Sequence, residues 1–337
     1  ACKRLLNNLE SSFDDETASG HFSDSMSAQS LAENSTGSGN VVLVSGKAGV
    51  GKSELVRRTL RHWVVNNCNG YFVEGKFDQL RKARPYSAFR TAFGDLCEMI
   101  IAKGEESVSK ISNNILGAID GSVGTVASEV VPNLMKIIGP QPADSTELTG
   151  YERQKRFHYV MRKILRSISQ PEHPVVIFLD DLQWADDASL HLMYSLVLKS
   201  SALIVGSYRD DEVSPDSLLG KMLSKEEARD ASQIHVLPFD IIAVEKLVSH
   251  ALRMSRRLIR PLADVVLRKT DGNTSFVVQF LVSLCDEGLL LYNDKNQRWS
   301  WDLDQLLTRE IPDDIVDLFM AKIENLDADA RGILTLA

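Results

Sequence analysis

The chain has 337 residues, of which 44% are apolar and 25% charged, with a net charge of −8. These are the proportions of a globular protein with ample chain for a sizeable core. The acidic balance excludes a nucleic-acid platform, which needs a basic face, though not a small basic pocket for phosphates. No apolar run reaches the roughly 18–20 residues needed to span a bilayer, and no secretory signal is visible at the N-terminus, so membrane insertion is not expected. Four cysteines (Cys2, Cys68, Cys97 and Cys285) stand in no metal-ligand spacing and read as buried thiols of a reducing, cytoplasmic compartment.

In chain order, Cys2–Phe13 has helical spacing through Leu5, Leu6, Leu9 and Phe13. Asp14–Asn40 is rich in Ser, Asp, Glu and Gly and reads as a flexible insert. Val41–Val44 is a β-branched apolar run ending in a Gly-rich loop, the pattern of a buried parallel strand. Lys52–Val65 follows as a helix with Val56, Leu60, Trp63 and Val64 on one face. Tyr71–Val73 is a second strand and Gln79–Ala102 is mostly helical. Glu105–Thr149 is less regular, with one helix predicted near Thr125–Ile138 and a turn at Gly139-Pro140-Gln141-Pro142. Arg153–Ser169 is strongly amphipathic, with Phe157, Val160, Met161, Ile164, Leu165 and Ile168 on one face. Strands are predicted at Val175–Leu179, Ala202–Gly206 and Ile234–Leu237. Strands alternating with helices imply a parallel sheet covered on both faces.

After Pro238 only helices are predicted, over Ile242–Leu252, Leu262–Lys269 and Phe276–Asp286, which suggests a small helical lid. Leu289–Tyr292 and Arg298–Trp301 read as a hairpin, and Ile311–Leu326 as a further helix. The chain begins without Met and stops inside the apolar run Ile333–Ala337, so an excised fragment is expected.

Gly46-Lys47-Ala48-Gly49-Val50-Gly51-Lys52-Ser53 has the form G-x-x-x-x-G-K-S between a strand and a helix. Its glycines let successive backbone N–H groups face inward around phosphate oxygens, and the following helix adds its positive end. In this reading Lys52 reaches the β- and γ-phosphates, the Ser53 hydroxyl ligates Mg²⁺, and the contact set for ATP or ADP runs from Gly46 to Glu54. Val175–Asp181 is an apolar strand delivering two carboxylates at the sheet's C-terminal edge, where α/β ligands bind. Asp180 is expected in the Mg²⁺ shell, and Asp181 to orient or deprotonate the attacking water. Arg209, at the end of the next strand, either stabilises charge on the γ-phosphate or pairs with Asp210, Asp211 or Glu212. Lys76 and Asp78 either contact phosphate or stabilise their turn.

Gly46–Ser53, Val175–Asp186 and Ile204–Val213 resemble the AAA-type ATPase module of the STAND class, signal-transduction ATPases with numerous domains. The resemblance covers nearly all of Val41–Ala337 and includes Gly75–Gln79, Arg84–Ser87 and Gly288–Trp301. It is nearest to modules of large hybrid proteins carrying serine/threonine kinase and histidine kinase domains. It implies an α/β P-loop NTPase with a five-stranded parallel sheet (41–238), a helical lid with hairpin (239–310) and the start of a winged-helix domain (311–337), while residues 1–40 are the N-terminal helix and insert read from spacing and composition. It implies a nucleotide-dependent switch in a multidomain protein, with ATP and the other domains of that protein as partners and homo-oligomers by analogy. Family lids bear Gly-Asn-Pro at the adenine pocket; here Asn273 is followed by Thr274, so both are expected near the base. A Gly-Arg-Glu element that usually precedes the first helix is not seen and is expected upstream of Ala1. The competing reading is a non-catalytic scaffold stabilised by ADP or ATP; a small-molecule kinase is less well supported, and no guanine-recognition motif follows a late strand.

Overall fold

The computed structural model describes residues 2–5, 7–8, 41–79, 84–119, 124–140, 150–197, 202–224 and 231–308. The chain separates into two compact units, one ending at Val236 and the other running from Leu237 together with the N-terminal residues. The first is an α/β fold built on five parallel strands: β1 (Val41–Ser45), β2 (Tyr71–Lys76), β3 (Val175–Asp180), β4 (Leu203–Tyr208) and β5 (Ser232–His235). Their order across the sheet is β2-β3-β4-β1-β5. Five parallel strands covered by helices are the expected architecture.

The side-chain period of two divides the strands between two cores. Leu43, Tyr71, Val73, Val175, Ile177, Leu179 and Ile204 face one core, shared with helices α2 (Ser87–Ala102), α3 (Glu105–Ala118), α6 (Gly150–Ile168) and α7 (Asp187–Val197). Val44, Phe72, Val176, Phe178 and Val205 face a second core with Val56 and Val64 of helix α1. Helix α1 begins at Lys52–Val56 and continues in wider π-type turns over Arg57–Arg61 and Trp63–Asn67. Wider turns rotate fewer degrees per residue, so positions seven apart no longer coincide. This corrects the expected apolar face: Val56 and Val64 are buried, but Trp63 is exposed.

In α6, all six predicted positions, Phe157, Val160, Met161, Ile164, Leu165 and Ile168, are buried. The stretch before it differs from expectation. Glu105–Ala118 is a regular helix, and the single helix predicted near Thr125–Ile138 is two, α4 (Gly124–Val130) and α5 (Met135–Ile138). Pro132 separates them, since it lacks the N–H that a continuous helix would use there. Strand β5 starts two residues before the expected Ile234 and ends at His235, and its residues are all exposed, unlike those of the other edge strand, β2.

The second unit holds α9 (Ile241–Leu252), α10 (Arg256–Thr270), α11 (Thr274–Asp286), the antiparallel hairpin β6 (Leu290–Asn293) and β7 (Arg298–Trp301), and α12 (Leu303–Thr308). A short helix α8 (Leu218–Ser224) precedes β5 in the first unit. Helix α10 starts six residues before the expected Leu262 and carries Pro261 within it. Leu5 from the N-terminus is buried in this unit's core, and Asn8 Nδ2 donates to the Ala251 carbonyl at 2.8 Å. Cys97 and Cys285 are buried, and burial pushes each thiol up to about 12, whereas Cys2 and Cys68 are half-buried. The remainder of Cys2–Phe13, the insert over Asp14–Asn40, the helix at Ile311–Leu326 and the winged-helix start at 311–337 lie outside the described residues.

Strand β2 approaches α2 closely: a Cβ on Gly75 would meet the Ala88 carbonyl oxygen at 2.3 Å and its carbon at 2.7 Å. Both are backbone atoms that cannot move aside. Gly75→Ala should therefore destabilise the fold by about 1–3 kcal/mol. Gly117→Ala, in α3 with nothing within 4 Å of its new methyl, should be neutral or stabilise by about 0.5–1 kcal/mol. Denaturant melts of both variants check this; equal effects would contradict the packing described.

Candidate functional site

The loop after β1 is built from left-handed glycines. Gly46, Gly49 and Gly51 have φ of 145°, 77° and 96°. A Cβ at Gly46 would also lie 2.5 Å from the Val236 carbonyl oxygen, so both conformation and space require glycine there. Val50 is buried and anchors the loop, while Lys47 and Ala48 are exposed at its rim. Helix α1 starts at Lys52, so its first N–H groups and dipole end face the loop. Lys52 is itself buried, and its Nζ donates to the Gly46 and Lys47 carbonyls, each at 2.8 Å. Burial, and then the nearby Arg209 cation, push the Lys52 pKa below its usual value. The Asp181, Asp180 and Asp210 carboxylates pull the other way without offsetting this.

The two-residue period explains where the acids fall. Asp180 shares parity with Val176 and Phe178, so it points to the α1 side of the sheet. It is 1% exposed. Its Oδ1 accepts from Ser53 Oγ at 2.8 Å and from Ser207 Oγ on β4. Its Oδ2 lies 3.6 Å from Arg57 Nη2. The Ser53 hydroxyl and the Asp180 carboxylate are hard oxygen donors suited to Mg²⁺. Among the described residues no group of three or more His, Cys, Asp or Glu could hold a metal ion. A divalent cation at this pair would thus need further oxygens, as Mg²⁺ finds on nucleotide phosphates.

Asp181 leaves the strand in the left-handed region, at φ 60° and ψ 49°. A non-glycine residue there is strained by roughly 1–3 kcal/mol and needs surrounding contacts to hold it. Its N–H donates to Ser207 Oγ at 3.3 Å, and its Oδ1 accepts from Gln183 Nε2 at 2.9 Å. Lys76 Nζ lies 3.2 Å from its Oδ2, and Arg209 Nε lies 3.7 Å from its Oδ1. Arg209 therefore joins the site and also pairs with Glu212, with Nη1 to Oε1 at 2.5 Å. Its guanidinium lies 4.7 Å above the Trp184 ring, and its N–H donates to Gln183 Oε1 at 3.1 Å.

Glu54 points outward, with Oε1 2.5 Å from Arg58 Nε. Asn273 and Thr274 belong to the second unit, where the Asn273 side chain caps α11 by accepting from the Phe276 N–H at 3.2 Å. The first unit gathers Gly46–Ser53, Asp180, Asp181 and Arg209 at the sheet's C-terminal edge. Sequence reasoning missed Arg57, Glu74, Ser207 and Gln183. Strand parity with Phe72 and Val205 could have placed Glu74 and Ser207 on the α1 side. The four-residue spacing from Ser53 could have placed Arg57 on the same helix face.

Residues 28–205, more than half the chain, match the family described as the AAA ATPase domain. The chain is 25% identical over 370 aligned residues to hybrid signal transduction histidine kinase G of Dictyostelium discoideum. That match covers 90% of this chain and 10% of the relative, so the chain spans about a tenth of that protein's length. Among solved structures, the Aeropyrum pernix ORC2 protein in its ADPNP–ADP complexes is 13% identical. It aligns over 89% of this chain and 70% of its own, with a TM-score of 0.39. A Thermotoga maritima RuvB mutant is 16% identical over 65% of this chain and 74% of its own, with a TM-score of 0.30. With a glycine loop, a buried lysine and a strand-end acid gathered at one sheet edge, and with that match over more than half its length, the chain belongs to the AAA ATPase domain family.

Proposed function

We propose that this module binds Mg-ATP at Gly46–Ser53, hydrolyses it slowly, and acts as a nucleotide-dependent switch within a multidomain signalling protein of the STAND class. The observation that carries the reading is the hydrogen bond between Ser53 and buried Asp180 beside the ammonium of Lys52. In this reading backbone N–H groups from Gly46 to Ser53, and on to Glu54, hold the phosphates. Lys52 exchanges its loop carbonyls for the β- and γ-phosphate oxygens. Ser53 and Asp180 would hold Mg²⁺, which would supply positive charge against the phosphates. Asp181 orients the attacking water or takes its proton, and Arg209 stabilises charge on the γ-phosphate. Asn273 and Thr274 as base contacts rest on the resemblance to the Gly-Asn-Pro turn alone.

The signalling context is proposed from the Dictyostelium relative, whose name describes a hybrid histidine kinase. Partners would then be the other domains of a larger protein, with homo-oligomers by analogy, and the compartment the cytoplasm. Among the described residues no helix is long and apolar enough to cross a membrane. A second reading, a non-catalytic scaffold stabilised by ADP or ATP, is favoured by the contacts that already occupy Asp181: Lys76 and Gln183 hold both its oxygens.

One variant tests the nucleotide site that both readings share, and a second separates them. Lys52→Ala should weaken Mg-ATP binding by roughly 10–100-fold, the worth of a charge-assisted contact in a closed pocket. Equilibrium titration with a fluorescent ATP analogue measures this, and wild-type affinity in the variant would overturn the phosphate assignment. Asp181→Asn should retain binding and lose phosphate release by about 100-fold or more. Turnover equal to wild type would remove Asp181 from the chemistry, and a wild type that holds nucleotide without turnover would select the scaffold.

A further inference from the structure

Arg57 is used by none of the steps above, yet it is tied to the metal-side acid. It stands one turn after Ser53 on α1, at the point where the helix widens. Its Nε donates to both carboxylate oxygens of Glu74 on β2, at 2.9 Å and 3.2 Å. Its Nη2 also reaches Glu74 Oε1, completing a forked pair, and the same Nη2 lies 3.6 Å from Asp180 Oδ2. The guanidinium carbon sits 6.0 Å from the centre of the Phe178 ring. Strand parity explains the assembly: Glu74, Asp180 and Ser207 follow Phe72, Phe178 and Val205, which all face α1.

We propose that Arg57 is a positioning residue for Asp180, anchored by Glu74, and that it sets the Mg²⁺ requirement of nucleotide binding. The inference rests on the Mg-ATP reading given above. A carboxylate as buried as Asp180 needs compensation by charge or hydrogen bonds. The Lys52 ammonium donates to the Gly46 and Lys47 carbonyls and acts on Asp180 through space, whereas among the described residues the ion pair of Asp180 is with Arg57. With Oδ2 turned toward the guanidinium, Oδ1 faces the two hydroxyls of Ser53 and Ser207. The orientation of Asp180 thereby fixes that of the Ser53 hydroxyl, which is itself a proposed ligand.

A rim ion pair of two flexible side chains contributes little. The Arg57–Glu74 pair differs because the planar fork locks the guanidinium on a strand residue, leaving one nitrogen aimed at the acid. A lysine keeps the charge at position 57 but not the fork. Loss of a partner that orients a metal ligand costs about 10–100-fold in metal affinity.

The test is a Mg²⁺ titration of fluorescent-ATP binding to the full 337-residue chain, compared with binding in EDTA. Arg57→Gln and Arg57→Lys should each raise the Mg²⁺ concentration for half-maximal binding by about 10–100-fold, with a far smaller change in EDTA. Glu74→Gln should shift it in the same direction and by less. Should Arg57→Gln fail to fold in a melting control, Arg57→Lys and Glu74→Gln carry the test. Folded variants with wild-type half-saturation, or equal losses with and without Mg²⁺, overturn the positioning role alone. A wild-type chain that binds no nucleotide, or binds it regardless of Mg²⁺, overturns this proposal together with the reading beneath it.

Discussion

One buried carboxylate organises the first unit. Asp180 ends the most deeply buried strand of the sheet, and taking its charge out of water has a cost of several kcal/mol unless neighbours compensate it. Those neighbours come from different elements: Ser53 and Arg57 from α1, Ser207 from β4 and, behind Arg57, Glu74 from β2. Each contributes a hydrogen bond or a positive charge at or behind that carboxylate. The strand order makes this possible, because β4 lies between β1 and β3 and carries Ser207 into the gap. The residues that follow the loop after β1 and the acid that ends β3 consequently meet at the C-terminal edge of the sheet.

That edge stores charge in an unfinished arrangement. Lys52 spends its ammonium on two loop carbonyls, and Asp181 sits in a left-handed conformation held by Lys76, Gln183, Arg209 and Ser207. Lys52, Lys76 and Arg209 thus bring positive charge to this edge, although the chain as a whole is acidic. A polyphosphate is complementary to that local field.

Much of this was legible in the sequence where the local signal was strong. The G-x-x-x-x-G-K-S loop, the apolar run into Asp180 and the apolar face of α6 rest on spacing alone, and spacing is what the backbone obeys. What escaped were effects set by tertiary context. The widening of α1 turns Trp63 outward, and no propensity rule reports a π-type turn. Strand β5 is exposed while β2, at the other edge of the sheet, is buried, a difference of tertiary cover that composition does not report. Pro132 breaks the expected Thr125–Ile138 helix through its missing N–H, a signal the apolar pattern alone does not carry. Arg57 and Glu74 are 17 residues apart, and only the strand and helix phases together bring them into contact.

The central claim is that the loop and its acid form a ready Mg-ATP pocket, and thermal unfolding of the chain in increasing Mg-ATP tests it most directly. A ligand that binds only the folded state stabilises it by about 2.7 kcal/mol at a hundredfold excess over its dissociation constant. The melting temperature should therefore climb steadily with Mg-ATP and climb less when EDTA removes the metal. A melting temperature unmoved by millimolar Mg-ATP would contradict the account.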